Sequence, residues 1–134
     1  MKNLPTDRDI LKNIYQNYYD SFKDFERESK PRSSKIYVPI DIKKISDELN
    51  VDAELIFGRL YYHMDKKYGY TQQDGSKVHL FTPKAGSDNN AVNFPLLGAI
   101  LAEIEETHQN NRLSIVLSIA ALFISLLTLF ITEF

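Results

Sequence analysis

The side chains able to do acid–base, nucleophilic or metal chemistry are few and scattered along this chain of 134 residues. There is no cysteine, which excludes thiol catalysis, disulfides and thiolate metal sites. His63, His79 and His108 are spread along the chain, and no two stand one helical turn apart, the spacing a shared metal would need. The five glycines form no phosphate-cradling loop. Glu103, Glu105 and Glu106 read as one charged helix face open to water. Catalysis is not expected, and neither is a cofactor or a metal. The remaining chemistry is recognition. Arg27, Lys30, Arg32 and Lys35 concentrate in the polar connection Glu26–Lys35. They suit the phosphates of DNA or of anionic lipid headgroups, at about 1 kcal/mol for each basic residue near a membrane. Further along, Phe57, Tyr61 and Tyr62 recur at i, i+4 and i+5, flanked by Arg59 and Lys66, with Lys77 beyond. Tyrosine in such a strip is typical of protein–protein hot spots, whereas the cations suit nucleic acid.

The elements that must position these groups follow from periodicity and capping. Thr6 is an N-cap with Asp7 and Asp9 in the first turn, where the helix dipole favours negative charge. Ile10, Ile14, Tyr18, Phe22 and Phe25 then recur at helical spacing for about twenty residues. Ile36–Ile40 is a short β-prone run confined to an edge by Pro39. Asp41 caps a short helix carrying Ile42, Ile45 and Leu49. After a turn at Asn50 and Val51, Asp52 caps a third helix reaching about Tyr68, buried along Ile56, Leu60 and Met64. Its outward face is expected to hold Glu54, Phe57, Gly58, Tyr61, Tyr62 and Asp65. Tyr68–Gln72 and Lys77–Phe81 alternate around Asp74-Gly75, a strong hairpin signal, and Pro83 closes the unit. Lys84–Phe94, rich in Gly, Ser, Asp and Asn, reads as a linker. A further helix starts near Asn93, with Pro95 in its first turn.

The C-terminal stretch Leu113–Ile131 contains no charge, proline or glycine. As a helix it would be about 28 Å long, close to the hydrocarbon thickness of a bilayer. Its thirteen Leu, Ile, Val and Phe residues contribute about −6 kcal/mol towards insertion. Its hydroxyl side chains can bond to carbonyls of the preceding turn. Every Lys and Arg precedes it, so the positive-inside rule predicts a cytoplasmic N-terminal part. Only Thr132, Glu133 and Phe134 follow, the layout of a single-pass, tail-anchored protein of the cytoplasmic (inner) membrane. Ser114, Ser118, Ala121, Ser125 and Thr128 alternate at spacings of four and three, a heptad stripe that continues backwards to Ile104, Ile100 and Leu97. Small residues let membrane helices approach closely. The stripe predicts a parallel homodimer crossing at about 20°.

Helix, short strand, helix, tight turn, helix and hairpin is an order that resembles the winged helix-turn-helix family over residues 6–82. Ile40–Leu60 resembles that family's turn region and Tyr70–Phe81 its wing. The resemblance implies that the third helix enters the DNA major groove and that the wing touches the backbone. The fold class expected is therefore α+β: a small winged-helix domain followed by a long C-terminal helix that becomes a transmembrane helix. The divisions are 1–83 for the head, 84–94 for the linker, 95–112 for the juxtamembrane helix and 113–131 for the anchor. The function expected is a DNA-binding transcriptional regulator held at the membrane, with Arg27, Lys30, Arg32, Lys35, Phe57, Arg59, Tyr61, Tyr62, Lys66 and Lys77 as contacts. The alternative is a tail-anchored adaptor that uses the aromatic third-helix strip to bind a protein. Charge separates the two weakly, since residues 1–92 carry 15 basic against 14 acidic side chains, less basic excess than nucleic-acid binders usually show.

Overall fold

Local capping starts the first helix where its sequence requires. In the computed structural model, which describes residues 3–27 and 32–133, Thr6 and Asp9 form a reciprocal capping box at the start of α1 (Asp7–Lys23). The Thr6 hydroxyl accepts from the Asp9 N–H, and the Asp9 carboxylate accepts from the Thr6 N–H at 2.8 Å, so two otherwise orphaned donors are satisfied. Ile10, Leu11 and Ile14 form the buried stripe of α1. Asp41 caps α2 (Ile42–Leu49) by accepting from the Lys44 N–H, and Asn50 ends it in the left-handed conformation.

The third helix is composite. It begins as α3 (Ala53–Gly58), widens into a π-helical stretch at Arg59–Met64, and returns to α-helix as α4 (Asp65–Tyr68). Ile56, Leu60 and Met64 are fully buried along it, as the sequence predicts. The i→i+5 bonding of the π stretch shifts the phase of the outer face. Phe57, just before that stretch, is half-buried: it meets Phe81 edge-on, at 5.6 Å between centroids, and stacks on Tyr61 at 5.4 Å. Asp65 is likewise turned toward the strands and not to solvent, a second departure from the expected outward set.

β1 (Tyr37–Pro39), β4 (Phe81–Ala85) and β5 (Asp88–Asn93) make an antiparallel sheet in the order β1-β5-β4. Val38 and Phe81 both sit opposite Val92, with all three side chains buried. Pro39 and Pro83 lie in the two edge strands, where a missing N–H is tolerated, and the central strand has no proline. Residues 84–94 are therefore not a linker. Their polar tract is the tip of a β-hairpin, turned at Gly86 (φ +61°), and the strand that follows it is the centre of the sheet. Nor does Pro83 close the unit, because it lies inside β4. The hairpin read from Asp74-Gly75 forms as β2 (Tyr70–Thr71) and β3 (Lys77–Val78), a separate two-stranded sheet, with Gly75 at φ +86°.

The chain then enters α5 (Phe94–Thr132), where the Asn93 side chain accepts from the Leu96 N–H at the first turn. Chain contacts divide the protein into two units, Met1–Leu101 and Ala102–Phe134. In the first, Phe94, Leu97, Ile100 and Leu101 of α5 are buried, and Phe94 stacks with Tyr15 and Phe22. The second is helical as far as Thr132, and its most apolar stretch contains no buried residue. This is a mixed α+β fold with small sheets and one long C-terminal helix apolar enough to cross a membrane.

Candidate functional site

Two carboxylates hold the third helix in place. Asp7 lies at the N-terminus of α1 and is only 14% exposed. Its Oδ1 accepts from the Arg59 guanidinium, and its Oδ2 accepts from Tyr68 (2.9 Å) and Lys67 (3.2 Å), while His63 Nδ1 stands 3.9 Å away. Burial acts to raise the pKa of Asp7, but the hydrogen bonds from Arg59, Tyr68 and Lys67 outweigh it, and the net shift is downward. Arg59 also donates to the Pro5 carbonyl at 2.6 Å, fastening the N-terminal strand of chain over the helix. Asp65 does the same work at the other end. Its Oδ1 accepts from the N–H groups of Leu80 (2.8 Å) and Phe81 (3.1 Å), and its Oδ2 is 2.9 Å from His79 Nδ1.

The Asp7 cluster makes a pH prediction. A carboxylate whose folded pKa lies below its unfolded value of 3.8 adds stability above that value and loses it as pH falls through the folded pKa. Asp7→Asn should destabilise the head at pH 7 by about 1–2 kcal/mol, allowing for partial solvent screening. It should also flatten the acid limb of a plot of Tm against pH. An unchanged acid limb in thermal melts would remove Asp7 from this role.

The remaining predicted contacts divide into occupied and open groups. Arg32 is occupied: its guanidinium donates to the Ser21 and Lys35 carbonyls, each at 2.9 Å, and lies over the Phe25 ring. Lys35 sits 6.0 Å from the Phe22 centroid. Lys30 and the side chain of Arg27 fall outside the described residues. The basic connection is thus in part a brace, supported by Ser33, whose N–H and hydroxyl both donate to the Asp88 carboxylate. Lys66 and Lys77 are exposed and border a shallow groove with Tyr70 and His79. Arg59 is committed to Asp7 and is not an outward contact.

The open surface of the third helix is apolar and aromatic. Tyr62 is 72% exposed and Leu55 48%, and Tyr61, also exposed, packs edge-on to Tyr62 at 4.9 Å. Leu4, brought alongside by the Arg59–Pro5 bond, is exposed as well. Leu4, Pro5, Val51, Glu54, Leu55, Ile56, Gly58 and Arg59 line a groove of about 200 Å³. Gly58 has helical angles (φ −62°, ψ −40°), and a methyl built there would touch only Tyr62, at 3.8 Å. Nothing in the head's packing or backbone demands glycine at this point, yet a helical glycine costs about 0.5–1 kcal/mol relative to alanine. The sequence does not mark Leu4 or Leu55, because neither lies on a periodic apolar stripe. The sequence shows Asp7 only as a first-turn carboxylate.

In the C-terminal unit, every large apolar side chain from Leu113 to Ile131 is more than half exposed. The hydroxyls of Ser118, Ser125, Thr128 and Thr132 donate back to carbonyls of their own helix, at 2.8–3.0 Å. Ser114, Ser118, Ala121, Ser125 and Thr128 are exposed, and Ile104 is half-buried. Leu97 and Ile100 are buried within the head, so they are not available to the predicted dimer seam. Helical periodicity alone does not distinguish a face turned to the chain's own core from one offered to a second copy.

No family model, curated protein or solved structure matches this chain.

Proposed function

We propose that the chain is held at the cytoplasmic membrane by its C-terminal helix and that its cytoplasmic winged-helix head binds a protein partner through its third helix. The winged-helix reading is supported by the order α1-β1-α2-α3 followed by strands, with β1 pairing to the last strand, β5. The wing of this reading is the β4–β5 hairpin, in place of Tyr70–Phe81. The observation that carries the docking function is the free face of the third helix, where Leu55, Tyr61 and Tyr62 stand exposed while Arg59 is consumed by Asp7. Glu54 in the first turn repels phosphate at the position where a groove-reading helix approaches it. Tethering the head to a surface confines the search for a membrane-associated partner and raises its effective concentration.

A DNA-binding regulator is the second reading, favoured by the exposed Lys66 and Lys77 beside the third helix and by Lys84 on β4. Titration of fluorescent random-sequence duplex with the full-length chain in zwitterionic nanodiscs distinguishes the two. Docking predicts no binding tighter than about 10⁻⁴ M at low salt. Micromolar affinity that falls steeply with added salt would overturn it in favour of DNA.

A further inference from the structure

The docking reading leaves the chemistry of the partner open, and the groove beside Gly58 narrows it. We propose that this groove takes one apolar side chain of a protein segment, and that a lysine or arginine next to that side chain pairs with Glu54. The inference rests on the protein-docking function proposed above.

Three features of the head converge on it. First, the groove is walled by Leu4, Pro5, Val51 and Leu55, and its volume of about 200 Å³ suits a single leucine, isoleucine or phenylalanine side chain. Second, Gly58 is part of its lining at a position whose helical angles do not call for glycine, and a Cβ there would touch only the flexible ring of Tyr62, at 3.8 Å. Alanine there would suit the helix, and a leucine would add bulk to the groove's lining. Third, the charge at the rim has one sign. Glu54 lines the groove and Asp52 is exposed just before it, with no side-chain cap bond. Among the described residues neither has a cationic partner, and the one cation in the lining, Arg59, is already held by Asp7 and the Pro5 carbonyl. An apolar slot with an unbalanced negative rim selects a basic-flanked apolar side chain and disfavours an acidic one, because complementary charge sets register and rejects wrong partners.

The test pans a phage-displayed random peptide library on the full-length chain in zwitterionic nanodiscs, after depletion on empty nanodiscs. Enriched peptides should carry Lys or Arg beside Leu, Ile or Phe. A synthetic copy of one such peptide should bind the Gly58→Leu chain at least tenfold more weakly than wild type, and the Glu54→Lys chain more weakly still. Gly58→Ala guards against misfolding as the cause, since its Tm should rise while its peptide affinity falls. Enrichment of acidic peptides, or equal affinity for wild type and Gly58→Leu, overturns the inference. Peptides that lose affinity on Tyr62→Ala but not on Gly58→Leu would leave protein docking standing and remove the groove from it. If the wild-type chain self-associates in detergent and Gly58→Leu abolishes this, the occupant is a second copy and the inference fails. Absence of any enrichment, together with salt-sensitive DNA binding, sinks both readings.

Discussion

The full-length chain should stay with the membrane fraction through an alkaline carbonate wash, and Leu122→Asp combined with Ile124→Asp should release it. The expected change is nearly complete. The thirteen Leu, Ile, Val and Phe residues of 113–131 contribute about −6 kcal/mol, and each aspartate near the helix centre adds about 2.5–3.5 kcal/mol while removing an apolar contribution. Two of them bring the sum to zero or above. Positions 122 and 124 lie on different sides of a helix, so one self-association seam cannot shield both charges. Leu122→Val with Ile124→Val should remain in the pellet. A wild-type chain that is monodisperse in the supernatant without detergent, or a double aspartate variant that pellets as wild type does, would refute membrane insertion. The structure sharpens the expectation, because a buried core helix would have its apolar side chains covered, and here they are open along their whole length.

The long apolar helix is legible in the sequence because its signal is local and long. The same holds for the caps at Thr6 and Asp41, the turn at Asp74-Gly75, and the buried stripe Ile56, Leu60 and Met64, each written within a few residues. What stayed hidden depends on partners distant in sequence. Asp88-Asn-Asn-Ala-Val-Asn has the composition of a loop, yet as β5 it is paired on both sides, and its backbone ladder takes the place of side-chain propensity. Asp7 and Arg59 belong to separate helices, and only the fold brings them into contact. In the expected aromatic strip Phe57 is half-buried between Phe81 and Tyr61, whereas Tyr61 and Tyr62 stay exposed. The candidate surface was therefore half readable. Its tyrosines are in the periodicity, whereas the placement of Leu4 and Gly58 in the groove lining and the withdrawal of Arg59 require the folded head.

One side chain joins the third helix to the sheet, so Phe81→Ala should be the most damaging single substitution in the head. Phe81 is 1% exposed and lies opposite Val92 in the sheet. Its ring meets Phe57 edge-on, and its N–H is one of the two that bind Asp65. Truncation removes the contact that seats the π-widened helix on the sheet, at about 3–5 kcal/mol for a buried phenylalanine. A domain of this size typically has about 5–15 kcal/mol of stability in total. At about 4–8 °C per kcal/mol, the Tm followed by tyrosine near-ultraviolet dichroism in detergent should fall by at least about 12 °C. Tyr62→Ala is the matched control. It is exposed at 72% and should change stability by no more than about 0.5 kcal/mol. The contrast between two aromatic side chains of one helix–sheet unit is the sharpest check on the outward face, since the docking surface exists only if Phe81 holds Phe57 inward while Tyr62 stays free. Equal melting temperatures for the two variants would mean that the helix does not sit on the sheet in this phase, and the exposed set would have to be redrawn.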